Sequence, residues 1–233
     1  MKTKNTLALL AAVFLHNATA FAQTWTQTSA PITNWWSIAS SADGTKLIAA
    51  TAWGEACEIY ISTNSGRAWV LNYFMPVADA CVDSSADGTV LAALGAAGVS
   101  GQTNGFCIST NSGTSWRCVP NVANSWWSSV AISVDGRKLV ALGGIPEEII
   151  TSTNFGTTWI NQARAPVLGS QSGWVVASSA DGTKLIAAQS NGGMIYISTN
   201  SGVNWVSNMY NTAGCVLLHR QMVPPWRRGL TVA

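Results

Sequence analysis

"ISTNSGRAW" (61–69) returns with small changes as "ISTNSGTSW" (108–116), "TSTNFGTTW" (151–159) and "ISTNSGVNW" (197–205). Each copy follows a second recurring string: "ASSADGTKLIAA" (39–50), "DSSADGTVLAAL" (83–94), "AISVDGRKLVAL" (131–142) and "ASSADGTKLIAA" (177–188). The motif tryptophans stand at 69, 116, 159 and 205. The unit therefore repeats about every 45 residues, the length of a four-stranded propeller blade.

Local chemistry divides each unit into strands. "WSIASS" and "KLIAA" are short apolar or alternating runs separated by Asp-Gly, a strong hairpin signal. A variable loop follows, then "IYIS", a turn at "TNSG" and a strand beginning near "AWV". Four strands joined in this way make an up-and-down antiparallel sheet. One such sheet cannot bury both of its faces alone, so consecutive units must stack face to face. The fold class expected is all-β: a partial β-propeller of about four four-stranded blades.

The string S-T-N-S-G-x-x-W resembles the Asp-box, or BNR repeat, Ser/Thr-x-Asp-x-Gly-x-x-Trp, with Asn in place of the box Asp. The matching positions are Ser62, Asn64, Gly66 and Trp69; Ser109, Asn111, Gly113 and Trp116; Ser152, Asn154, Gly156 and Trp159; and Ser198, Asn200, Gly202 and Trp205. Propellers with this box include sialidases, xyloglucanase-type glycosidases, sortilin-like receptors and the photosystem II assembly factor family. The resemblance implies a structural box at the turn between third and fourth strands. Asn keeps that role, because Asn and Asp both bond the backbone amides of their own turn. Asp43, Asp87, Asp135 and Asp181, each before a glycine, are read as turn residues too.

Lys2 and Lys4, the apolar run Leu7–Leu15 and "AFAQ" (20–23) describe a secretory signal peptide over 1–22. The apolar run is shorter than the roughly 20 residues a membrane span needs, and no other stretch qualifies. A secreted, periplasmic or cell-surface protein is expected. Without Lys2 and Lys4, ten of the twelve Lys and Arg remain against ten Asp and Glu. A balance near zero argues against nucleic acid or an anionic membrane as partner.

The repeat can be phased. Trp25 precedes "TQTSAP" and "WWSIASSADG" much as Trp159 precedes "INQARAP" and "GWVVASSADG", so residues after Trp25 read as a fourth strand lacking its first three. Residues 23–210 form the repeat region. Residues 211–233 form a tail without the repeat. Back-translated and read one frame over, Leu218–Ala233 permits "SSADGTTLAA", one further residue and "ANGG", parallel to "SSADGTKLIAAQSNGG" at 178–193. A frameshift within a fifth unit, with residues after about 215 out of frame, is the expectation.

Five cysteines in an exported chain permit disulfides. Cys107 and Cys118 flank the second box symmetrically and could face each other across its hairpin. A further bridge between Cys57 and Cys81 would link neighbouring blades. There is no C-x-x-C pair, and beyond the signal His219 is the sole imidazole. No metal site and no cofactor are expected.

Strand alternation puts the Asp-Gly and Asn-box turns on one face of the arc and the variable loops on the other. Binding residues usually occupy loops on a rigid scaffold. The loop-face candidates are Trp35, Trp53, Glu55, Glu58, Trp126, Glu147 and Glu148. Trp36, Trp127 and Trp174, which recur before the first strand, are read as packing residues. Indole faces beside carboxylates suit a glycan or a peptide. Glycosidases need paired carboxylates, and Glu55 or Glu58 with Glu147 is the off-turn combination available. A sialidase arginine triad is not matched: Arg67 and Arg137 lie in the regular turns, Arg117 follows a box Trp, and Arg164 alone lies in a connector. No catalytic residue is assigned. The expected function is a non-catalytic binding or scaffold module for a glycan or an extracellular or periplasmic protein. The alternative is a piece of a sialidase-like or other glycoside hydrolase propeller.

Overall fold

The computed structural model describes residues 26–52, 56–96, 105–119, 127–143, 148–162, 174–189 and 195–208. The signal segment 1–22 and the tail 211–233 lie outside them. Four antiparallel sheets follow one another along the chain. The first holds β1 (Trp35–Ser40), β2 (Leu47–Thr51), β3 (Cys57–Ser62) and β4 (Val70–Met75). The second holds β5 (Ala78–Ser84), β6 (Leu91–Ala96), β7 (Phe106–Ser109) and β8 (Arg117–Cys118). The third holds β9 (Trp127–Ile132), β10 (Leu139–Gly143), β11 (Glu148–Ser152) and β12 (Ile160–Asn161). The fourth holds β13 (Trp174–Ser178), β14 (Leu185–Gln189), β15 (Ile195–Ser198) and β16 (Val206–Asn208). In every sheet the strands lie side by side in chain order, and no helix occurs among the described residues.

Stacking explains the sequence of the second strands. A sheet with one wet face would alternate apolar and polar residues. Here "LAAL" in β6 and "LVAL" in β10 are continuous apolar runs, and these residues are buried, because neighbouring sheets cover both faces. Three apolar clusters fill the three gaps between four blades. The first joins Ile48, Ile59 and Met75 of blade one to Val77, Val82 and Leu91 of blade two. The second joins Leu94, Phe106 and Ile108 to Trp127, Val130 and Ile150. The third joins Val140, Leu142 and Ile149 to Trp174, Val176 and Tyr196.

A polar stitch on the turn side repeats at each gap. The amide of Ala42 donates to the carbonyl of Ala86 (2.7 Å), Ala86 to Val134 (3.0 Å) and Val134 to Ala180 (2.8 Å). These are the residues before the Asp of each Asp-Gly turn. Lys46 Nζ crosses from blade one to the Asp87 carbonyl (2.9 Å) and Ser112 Oγ (3.1 Å), and Lys138 Nζ crosses to Ser201 Oγ (3.2 Å). Nearer the strand middles, the amide of Val82 donates to Ser37 Oγ (3.1 Å), Ile132 to Asp83 Oδ2 (2.7 Å) and Val176 to Ser129 Oγ (3.0 Å). The blades are joined by hydrogen bonds as well as by apolar packing.

Candidate functional site

The most faithfully repeated residues build turns. In the first box Ser62 Oγ accepts from the amide of Gly66 (2.9 Å), and Asn64 Oδ1 accepts from the amide of Ala68 (2.8 Å). The same bonds recur at Ser109 and Asn111, at Ser152 and Asn154, and at Ser198 and Asn200. An acceptor oxygen suffices for this bond, and the Asn side-chain amide supplies it. The turn needs two consecutive left-handed residues. Ser65, Ser112, Phe155 and Ser201, with φ of 55–59°, precede the box glycines. Glycine adopts this conformation readily, and the residue before each box glycine shares it.

The Asp-Gly turns are equally closed. Asp43 Oδ1 accepts from Ser41 Oγ (2.6 Å) and from the amide of Thr45 (3.0 Å), and both carboxylate oxygens bond Thr45 Oγ1 at 2.9 Å. The Ser41 hydroxyl, followed by the Thr45 amide and hydroxyl, holds the Asp43 carboxyl down at about 2. Asp181 is lowered for the same reasons, Ser179 first. Burial works to raise Asp87, but bonds from Ser85 and Thr89 and the charge of Lys46 leave it lowered. Asp135 is lowered chiefly by Ser133. Carboxylates held anionic and filled by their own turns are poor proton donors. Each box also bonds its own Asp-Gly turn, through Ser65 to Thr45 (2.9 Å), Ser112 to Thr89 (2.9 Å), Phe155 to Arg137 (2.9 Å) and Ser201 to Thr183 (2.8 Å). Both turns therefore share one face, and Arg137 lies 5.7 Å over the Phe155 ring on it.

The opposite face holds the starts of the first and third strands. Trp35 opens β1, Glu58 is the second residue of β3, and Glu148 opens β11. Glu58 and Glu148 are thus strand residues at the loop-side edge, where the sequence reading puts them in loops. Trp53, Glu55, Trp126 and Glu147 lie outside the described residues. Glu58 Oε2 accepts from Tyr60 Oη (2.8 Å), and this bond raises the Tyr60 hydroxyl above its ordinary value. Tyr60 meets Trp35 edge-on at 5.3 Å, and Trp69 lies 6.1 Å from Trp35. Tyr60 was not among the sequence candidates. Its two-residue spacing from Glu58 on a strand puts both on one face and is the signal that finds it.

Register revises the tryptophans before the first strands. A shift between Trp35 and Ser37 makes Trp35 the residue opposite Thr51, as Trp127 lies opposite Gly143 and Trp174 opposite Gln189. Trp35, not Trp36, is the counterpart of the two packing indoles, and Trp36 is the extra residue at the irregularity. Trp127 and Trp174 are 2% and 3% exposed, whereas Trp35 is 38% exposed. Trp35 on Tyr60 repeats the pairing of Trp174 on Tyr196 at 6.0 Å. The difference is a covering blade.

Cys107 and Cys118 are directly opposite in the ladder and form a disulfide with Cα atoms 3.9 Å apart. Cys57 and Cys81 are free thiols, so no bridge joins blades one and two there. Burial pushes the Cys81 thiol up to about 11 and also raises Cys57. Among the described residues no group of His, Cys, Asp and Glu is arranged to hold a metal.

No protein-family model matches the chain, and no curated protein does. Many solved structures share its fold. A GH74 enzyme of Niastella koreensis superposes with a TM-score of 0.54 at 22% identity, over 77% of this chain and 25% of that one. The GH74 xyloglucanase of Xanthomonas campestris gives 0.52 at 16%, over 73% and 29%. A chain of the nidogen/laminin complex gives 0.57 at 12%, over 74% and 64%. The chain spans about a quarter of the length of the GH74 proteins it resembles. At these identities the likeness concerns fold: the molecule is all-β, with four four-stranded antiparallel sheets stacked as in part of a β-propeller.

Proposed function

We propose that the chain is an exported, non-catalytic propeller module whose loop face binds a glycan or an extracellular or periplasmic protein. The observation that carries this reading is the closure of the turn face. Its recurrent carboxylates, Asp43, Asp87, Asp135 and Asp181, are occupied by hydroxyls and amides of their own turns. Variation and chemistry are left to the other face, where Glu58 stands second in β3 and Glu148 opens β11; Trp53, Glu55 and Glu147 are close to them in sequence, and Trp126 immediately precedes β9. A rigid scaffold presenting variable loops suits recognition, and indoles flanked by carboxylates suit sugar rings or peptide side chains.

Glycan and protein arrays probed with the purified chain test this. The expected result is saturable binding that Trp53→Ala or Trp126→Ala weakens tenfold or more and that Asp43→Asn leaves unchanged. The second reading, a piece of a glycoside hydrolase, is favoured by the GH74 superpositions. Release of reducing sugar from a β-glucan, abolished by Glu147→Gln, would replace the first reading with the second.

A further inference from the structure

The arc has two unlike ends, and blade one carries the marks of a missing neighbour. Each later blade presses a valine of its first strand onto the blade before it: Val82, Val130 and Val176 are 7%, 8% and 6% exposed. Their counterpart in blade one, Ile38, is 67% exposed. Each later Asp-Gly glycine lies under a side chain of the preceding blade. A Cβ on Gly88 would meet Lys46 at 2.6 Å, on Gly136 Val90 at 2.5 Å, and on Gly182 Lys138 at 2.8 Å. A Cβ on Gly44 would meet nothing within 4 Å. The carbonyls of Ala86, Val134 and Ala180 each accept an amide from the preceding blade, while Ala42 has no such donor among the described residues.

One place on this open face is already filled. A Cβ on Gly113 would touch Ile61 and would lie 3.0 Å from Asn72 Oδ1, both residues of the preceding blade. Asn72 is the third residue after the box Trp69. A Cβ on Gly66 would lie 3.3 Å from Thr28 Cγ2, and Thr28 is the third residue after Trp25. Ser29 Oγ also donates to the carbonyl of Arg67 in the same box (2.6 Å). The segment beginning at residue 26 thus stands against blade one as a fourth strand stands against the next blade. No third strand accompanies it among the described residues.

We propose that the open face of blade one is a docking surface for a three-stranded antiparallel sheet of this protein's own repeat, whose fourth strand is the segment around Thr28. The occupant is the fifth repeat whose first hairpin Leu218–Ala233 permits in the shifted frame. Three built interfaces of this kind supply its chemistry. An apolar third-strand residue covers Gly66 as Ile61 covers Gly113. A lysine or β-branched residue covers Gly44 as Lys46 covers Gly88. An amide before its Asp-Gly turn reaches the Ala42 carbonyl. A second copy fits less well, because its blade four ends in its own fourth strand, β16, which would claim the place Thr28 holds.

The probe is a synthetic peptide of residues 174–205, the first three strands and box of blade four, titrated into the full chain. The expected result is one-to-one binding that raises Tm. Ile38→Asp weakens it at least tenfold, with the melting curve of the unliganded chain unchanged because Ile38 is exposed. Ile160→Asp, at an equally exposed position on β12, leaves binding intact. No binding at millimolar peptide overturns the docking surface, as does equal sensitivity to Ile38→Asp and Ile160→Asp. Self-association of the chain, reversed by Ile38→Asp and blind to the peptide, assigns the face to a second copy and overturns this occupant. The coding DNA beyond codon 215 is expected to spell the repeat in the shifted frame. Codons that cannot do so remove the fifth repeat of this gene as occupant.

Discussion

Residues 39–50 and 177–188 are the same twelve amino acids, "ASSADGTKLIAA", yet their leucine and isoleucine exchange burial. In blade one Ile48 is 1% exposed under blade two, while Leu47 is half-exposed. In blade four Leu185 is 4% exposed under blade three, while Ile186 is half-exposed. Lys46 Nζ bonds the next blade, whereas Lys184 bonds its own turn, its backbone amide donating to Ser179 Oγ (3.0 Å). Gly44 faces open space, and Gly182 faces Lys138. Identical local sequence gives identical strands and turns, but which residue belongs to the core depends on which side a neighbour covers.

Paired substitutions can break this comparison, beginning with the largest effect. Val176→Asp puts an unpaired carboxylate into the gap between blades three and four and should cost more than about 4 kcal/mol in denaturant unfolding. Ile38→Asp, at the same place in blade one, should fall within about 0.5 kcal/mol. Equal effects would mean that blade one is covered in solution. Next, Leu185→Ala should cost about 2–5 kcal/mol and Leu47→Ala clearly less, with the order inverted for Ile48→Ala against Ile186→Ala. An inner-face substitution that costs no more than its outer partner would refute the assignment of faces.

Reduction of Cys107–Cys118, 11 residues apart in sequence, should lower stability by about 2–3 kcal/mol, and Cys107→Ser should reproduce that loss in melting experiments. Gly182→Ala should destabilise more than Gly44→Ala. Both lose a left-handed conformation, with φ of 67° and 70°, but Gly182 alone gains a 2.8 Å contact with Lys138. The smallest effect concerns pH. The Asp43 carboxyl is lowered to about 2 and Asp181 is lowered too. A depressed folded-state pKa gives stability that is present above the unfolded value near 4 and lost as pH falls through the folded one. Tm should therefore hold from pH 7 to about 4 and fall towards pH 2, with a shallower fall in Asp43→Asn, Asp181→Asn.

Much of the fold was legible because it is written in short-range chemistry. Asp-Gly, the Ser/Asn bonds of the box and the apolar runs each act within a few residues, so blade number and strand order follow from the repeat. The loop-side candidates were harder to read. Glu58 reads as a loop residue because nothing in a short variable stretch marks where the next strand begins, and Trp36 reads as the packing indole because a register shift in β1 is invisible in sequence. Tyr60 was passed over because its neighbour Trp35 belongs to another strand.

Sequence alone determined the order of the strands and the two turns of every blade, and it put Cys107 and Cys118 within reach of each other, since each depends on residues close along the chain. Tertiary structure alone decided which of two identical segments buries its leucine and which its isoleucine, that Trp35 is an indole left uncovered, and that Thr28 fills one place beside Gly66. Those outcomes depend on which blade lies alongside, and identical residues cannot record on which side a neighbour some 45 residues away along the repeat will lie.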